Sequence, residues 1–129
     1  MRGSMLLAMA TDVSRINVVY LYVRDMERSL AFYRDLLGIP LEGDVDWAEA
    51  TLGGTGTRFA LHAWRDKGLG EPSSGTLNVN FEVADANAAA ERLRAAGVDV
   101  RETMRDEWGT ALEVFDPDGY RIYLFQPPR

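Results

Sequence analysis

The side chains able to do chemistry are few. The 129 residues hold one histidine, His62, and no cysteine. That removes disulfides, iron–sulfur clusters, thiolate zinc sites and a cysteine nucleophile, and leaves no second imidazole for a histidine-rich centre or relay. Beside His62, Glu82 and Glu113 are the plausible carboxylate donors. They could complete a relocated metal site, but a catalytic metal usually takes three protein ligands around one point. The preferred expectation is that His62 is a neutral histidine hydrogen-bonded locally and that the chain holds no metal or other cofactor. A desolvated Glu82 or Glu113 could instead act as general base, with Tyr20, Tyr22 or Tyr123 as the proton donor, in a cofactor-free isomerisation or cyclisation.

Charge and composition narrow the partners. Lys and Arg number 14 and Asp and Glu 20, for a net charge of −6. That balance argues against nucleic acid, which needs clustered positive charge, and favours neutral or cationic small ligands. No apolar run approaches the ~20 residues of a membrane span, so no membrane partner is expected and the cytosol is the default compartment. There is no phosphate loop, because the glycine-rich stretches at 53–56 and 68–75 lack a strand-to-helix setting.

The elements that must position these residues come as a repeat. Val18-Val19-Tyr20-Leu21-Tyr22-Val23-Arg24-Asp25 aligns with Asn78-Val79-Asn80-Phe81-Glu82-Val83-Ala84-Asp85. Each reads as a strand ending in a helix-capping Asp. Met26, Leu30, Tyr33 and Leu37 form one helical stripe ended by Gly38, and the second helix runs through Leu93 to Gly97. Asp46-Trp47 echoes Glu107-Trp108, Gly53-Gly54-Thr55-Gly56 echoes Asp116-Pro117-Asp118-Gly119, and Arg58-Phe59-Ala60-Leu61 echoes Arg121-Ile122-Tyr123-Leu124. Each unit therefore reads β-α-β-β-β, an α+β fold in one structural domain. The expected division is an N-terminal extension over 1–14, with 1–4 resembling a vector leader, a first module over 15–65, a linker over 66–75 and a second module over 76–126.

Strand alternation sorts these residues onto two faces. Val19, Leu21, Val23, Phe59, Leu61, Val79, Phe81, Val83, Ile122 and Leu124 are the surface for the helices. The opposite face mixes aromatics with sparse polar groups: Tyr20, Tyr22, His62 and Trp64 in the first module, Asn78, Asn80, Glu82, Arg121, Tyr123 and Phe125 in the second. Such a mixture suits a ligand cavity, with apolar walls for affinity and few polar groups for orientation. It also suits a wet sheet face or a dimer surface. Trp47 and Trp108 either flank the cavity symmetrically or pack at a seam. Arg121 is expected to pair with Glu82 or Glu113 rather than with ligand.

Val23-Arg24-Asp25 through Phe32-Tyr33 to Leu37-Gly38, together with Phe81-Glu82-Val83-Ala84-Asp85 and Phe115-Asp116-Pro117-Asp118-Gly119-Tyr120, resemble the vicinal oxygen chelate superfamily over about residues 15 to 126. That superfamily includes glyoxalase I, bleomycin-resistance proteins and extradiol dioxygenases. The resemblance implies paired modules curling around a cup-shaped cavity, often in a homodimer. It also implies metal ligands at four strand positions, occupied here by Val18, Ala60, Asn78 and Tyr123. Val and Ala offer no donor atom, Asn is a weak neutral ligand and Tyr would need deprotonation. Members lacking the ligands resemble drug-sequestering proteins. The resemblance thus implies a metal-independent protein that holds an aromatic or cationic natural product, which Tyr20, Tyr22, Trp64, Tyr123 and Phe125 could sandwich. An enzyme on the same scaffold is the alternative.

Overall fold

In the computed structural model, residues 16–54, 56–65, 72 and 79–128 are described. The expected extension over 1–14, nearly all of the expected linker and Asn78 lie outside them.

The first sheet holds β1 (Val18–Val23), β2 (Glu42–Gly43), β3 (Trp47–Thr51) and β4 (Arg58–Ala63) in the order β1-β4-β3-β2. The second holds β5 (Val79–Glu82), β6 (Arg101–Asp106), β7 (Gly109–Phe115) and β8 (Arg121–Gln126) in the order β5-β8-β7-β6. The first and last strands of each module in sequence pair in the same way: β1 lies parallel to β4 and β5 parallel to β8, while the other neighbours are antiparallel. The registers repeat residue for residue. Val19 faces Phe59 as Val79 faces Ile122, and Tyr20 faces Ala60 as Asn80 faces Tyr123.

A parallel pair needs a crossover, and each module supplies one through a helix capped by its Asp. Asp25 accepts from the Arg28 N–H at 3.2 Å, and Asp85 from the Ala88 N–H at 3.1 Å. The second helix, α2 (Ala86–Ala95), is regular. The first, α1, is α-helical over Met26–Leu30 and widens to π-type turns over Ala31–Leu36. The Leu37 N–H there donates to the Phe32 carbonyl, five residues back. The extra residue per turn rotates Phe32 into the core beside Tyr33, which a uniform 3.6-residue period does not foresee.

The helix-packed faces of the two sheets share one core. Leu21, Val23, Phe59, Leu61, Leu93, Leu112, Val114, Ile122 and Leu124 belong to a single buried cluster. Across it, the Phe59 and Phe81 rings meet edge-on at 4.9 Å. A polar clamp ties the modules at the Asp-Pro-Asp-Gly turn. Asp116 accepts from the Asp118 and Tyr120 N–H groups at 2.9 and 2.8 Å, while Gly119 takes a φ of 88°. The Tyr33 hydroxyl, fully buried on α1, donates to the other Asp116 oxygen at 2.6 Å. Asp118 accepts from the Arg24 backbone N–H and guanidinium and from the Ser29 hydroxyl.

Candidate functional site

Each sheet has one face packed on its helix and one open face. On the first open face, β1, β4 and β3 bring Tyr20, Tyr22, His62 and Trp47 together, since Tyr22 and Trp47 both register against His62. Their rings form a continuous surface. Tyr20 lies 5.6 Å from Tyr22 and 5.4 Å from Trp47. His62 lies 5.3 Å from Tyr22, 5.4 Å from Trp47 and 5.9 Å from Tyr20. Centroid spacings this short mean the rings touch one another. They leave no slot for a ligand to be inserted between them; a flat ligand can lie against them. The Tyr22 hydroxyl is held above the ordinary phenol value, first by its hydrogen bond with Tyr20.

His62 is anchored from the adjoining loop. Its Nδ1 lies 3.0 Å from the Asp46 carbonyl, which also accepts from the Ala63 N–H at 2.9 Å. Asp46 is itself held, by its N–H donating to Asp44 and by its carboxylate pairing with Arg65. Trp64 sits just past β4, beneath the Arg24 guanidinium at 5.9 Å.

On the second open face, Asn80 and Glu82 are exposed on β5, and Tyr123 and Phe125 are half-buried on β8. Arg121 pairs with Glu113 at 3.5 Å. The first face has a matching pair that sequence reasoning missed: Arg58 donates to Glu49 at 2.6 Å. Thr51 registers against Arg58 as Phe115 does against Arg121, so the two ion pairs occupy equivalent places. The Arg58/Arg121 repeat was the available signal, but Glu49 and Glu113 align only once strand register is known.

Several expectations need correction. Among the described residues, the aromatic side chains of the expected binding set do not all share one face. Helix-packed residues of both sheets point into the shared core, so Tyr123 and Phe125 lie on a different face from the Tyr20 cluster. Trp108 does not mirror Trp47. It sits in the β6–β7 turn and is 70% exposed, and the residue at the Trp47 position of the second module is Ala111, which registers against Phe125. Glu82 is exposed and Glu113 is ion-paired, so neither has the unpaired burial expected of a strong general base.

A cleft of about 1070 Å³ does lie between the modules, on the side of the helices. Its walls are mainly aliphatic, with Phe59 and Phe81, and from the expected binding set only Asn80 and Glu82 line it. Its arginines are committed, Arg58 to Glu49 and Arg92 to the Asp35 carbonyl.

The donor set does not fit a metal. Val18 and Ala60 contribute no donor atom, and Ala60 is fully buried. The nearest carboxylate across the strand, Glu49, is neutralised by Arg58. His62 lies on the first sheet whereas Glu82 and Glu113 lie on the second. Among the described residues no group of three or more His, Cys, Asp or Glu side chains is placed to hold an ion.

Comparison with known proteins agrees with this architecture. The chain is 34% identical over 119 residues to a lactoylglutathione lyase of Neisseria meningitidis serogroup A, covering 82% of this chain and 86% of that protein. The crystal structure of TnmS3, an antibiotic binding protein from Streptomyces sp. CB03234, superposes with a TM-score of 0.72 at 27% identity, covering 92% of this chain and 99% of the other. A glyoxalase/dioxygenase from Nostoc punctiforme shares the fold with a TM-score of 0.76 at 18% identity, over 92% and 94% of the two chains. The pattern of the Glyoxalase/Bleomycin resistance protein/Dioxygenase superfamily matches residues 15–124. With its repeated βαβββ modules and the Asp-Pro-Asp-Gly turn between β7 and β8, this chain belongs to that superfamily.

Proposed function

We propose that the protein is a metal-independent, cytosolic small-molecule binder that holds a flat aromatic ligand against its first open face. The observation that carries this reading is the surface of four touching rings, Tyr20, Tyr22, Trp47 and His62, beside the family metal positions Val18 and Ala60, which lack donor atoms. The likeness to an antibiotic binding protein supports a sequestering role. Each ring contact with a ligand adds ~0.5–1.5 kcal/mol beyond area burial, so two or three such contacts add about 1–4.5 kcal/mol to the apolar area the ligand buries.

A second copy of the chain would complete the site. Laying its Tyr123–Phe125 face over the Tyr20–Trp47 face would convert two open faces into a two-walled cavity. The homodimer and the sequestration are therefore parts of one proposal. Titrating tryptophan fluorescence with flat aromatic natural products tests it. Saturable quenching that is lost in Trp47→Phe and kept in Trp108→Phe is the expected result. Absence of quenching, or a monomer by analytical ultracentrifugation at the concentrations that bind, overturns it.

The lactoylglutathione lyase relative favours a second reading, an enzyme on the same scaffold. Lactoylglutathione lyase activity that persists in Glu82→Gln and Glu113→Gln but needs an added divalent metal would establish it over the binder. Activity without metal that Glu82→Gln or Glu113→Gln abolishes would establish the cofactor-free form.

A further inference from the structure

We propose that the Nε2 atom of His62 is the polar group that selects the ligand, and that the ligand class is a flat arene bearing an acidic hydroxyl, a phenol or naphthol O–H. This rests on the aromatic-face reading and narrows it. A carbonyl oxygen only accepts hydrogen bonds, so the contact of Nδ1 with the Asp46 carbonyl places the ring proton on Nδ1. The neutral imidazole then carries its lone pair on Nε2. The ring cannot readily turn to exchange the two nitrogens. It is stacked on Tyr22 at an interplanar angle of 26° and flanked by Tyr20 and Trp47. The Asp46 carbonyl is also held by the Ala63 N–H.

Nε2 is the open acceptor of this face. Glu49 is paired with Arg58. Among the described residues, no hydrogen bond reaches Nε2. A ligand lying on the Tyr20 and Trp47 rings presents its edge to this lone pair. A hydroxyl at that edge donates to it. A methyl ether at the same place offers only lone pairs and displaces the water that Nε2 would otherwise bind. Sites built to bond a hydroxyl discriminate against the analogue lacking it, because one net hydrogen bond is lost.

The probes are 2-naphthol, 2-methoxynaphthalene and naphthalene, titrated against the full chain at about pH 8. Tryptophan quenching is read alongside long-range proton–nitrogen NMR, which is unambiguous because the chain has one histidine. The expected result is a protonated Nδ1, and 2-naphthol binding roughly tenfold tighter than the ether, as one net hydrogen bond implies. The Nε2 resonance should shift with naphthol alone. His62→Phe keeps a ring at this position and should erase the preference for naphthol over its methyl ether. Equal binding of all three probes, or a protonated Nε2, overturns the acceptor role while leaving the aromatic face intact. Failure of all three to bind overturns both.

Discussion

Replacing Tyr33 with Phe tests the clamp between the modules. The ring is fully buried and touches Phe32 at 5.0 Å and Phe59 at 5.3 Å, contacts that Phe retains. What is lost is the 2.6 Å bond from the hydroxyl to Asp116. Burial, and then the negative charge of Asp116, push the Tyr33 phenol far above its ordinary range, so it stays a donor throughout. A buried hydrogen bond to a charged group contributes about 1.5–3 kcal/mol, giving an expected loss of about 2 kcal/mol at neutral pH. With an unfolding entropy of about 2.1 cal/mol/K per residue over 129 residues, that lowers Tm by roughly 7 °C.

The pH dependence has a definite sign. Burial raises the Asp116 carboxyl above its ordinary value, opposed by the bonds from Tyr33 and the turn amides. The folded chain therefore binds this proton more tightly than the unfolded chain. The stability Asp116 contributes is greatest below the unfolded value and declines as pH rises through the higher folded value. Removing Tyr33's bond raises the folded value further and withdraws support only from the ionised carboxylate. The gap between wild type and Tyr33→Phe should then shrink to under ~1 kcal/mol as the pH falls below that of the folded carboxyl. Thermal unfolding followed by circular dichroism across pH measures both. A Tm loss below about 2 °C at neutral pH, or a gap that widens on acidification, refutes the reasoning.

Asp25→Ala and Asp85→Ala each remove a helix cap and should lower stability by about 1 kcal/mol in urea unfolding, with Asn in the same places recovering most of it. Gly109→Ala should cost about 1–3 kcal/mol, because a Cβ there would stand 2.8 Å from the Phe125 ring and 2.5 Å from the Gln126 carbonyl oxygen at a φ of 131°. Arg58→Ala should change stability by under ~1 kcal/mol, since its pair with Glu49 is half exposed on both sides; chemical denaturation measures it. Calorimetric titration with nickel or zinc should show no stoichiometric binding to the native chain, and binding should emerge when Val18→His, Ala60→Glu, Asn78→His and Tyr123→Glu are combined.

Much of the scaffold was legible because its determinants are local. Asp25 and Asp85 cap helices through N–H groups three residues away, and the alternation around Val19 and Val79 assigns one face of each strand to the core whatever lies across from it. The missing donors at Val18 and Ala60 were equally plain, since a side chain without a lone pair lacks it in any environment. The pairing of Trp47 with Trp108 failed because it compared turn sequences, whereas equivalence in a sheet is set by register, which gives the place to Ala111.

The chain by itself determined a repeated βαβββ scaffold, its capped crossovers and its lack of the family's chelating side chains, all consequences of residue type and short-range spacing. Only the tertiary structure decided that the two open faces look away from a common core, that Arg58 and Arg121 are each spoken for by a glutamate across the strand, and that His62 Nδ1 faces the Asp46 carbonyl. Those outcomes depend on groups distant in sequence meeting in space, such as the Asp46 carbonyl sixteen residues from the imidazole it orients.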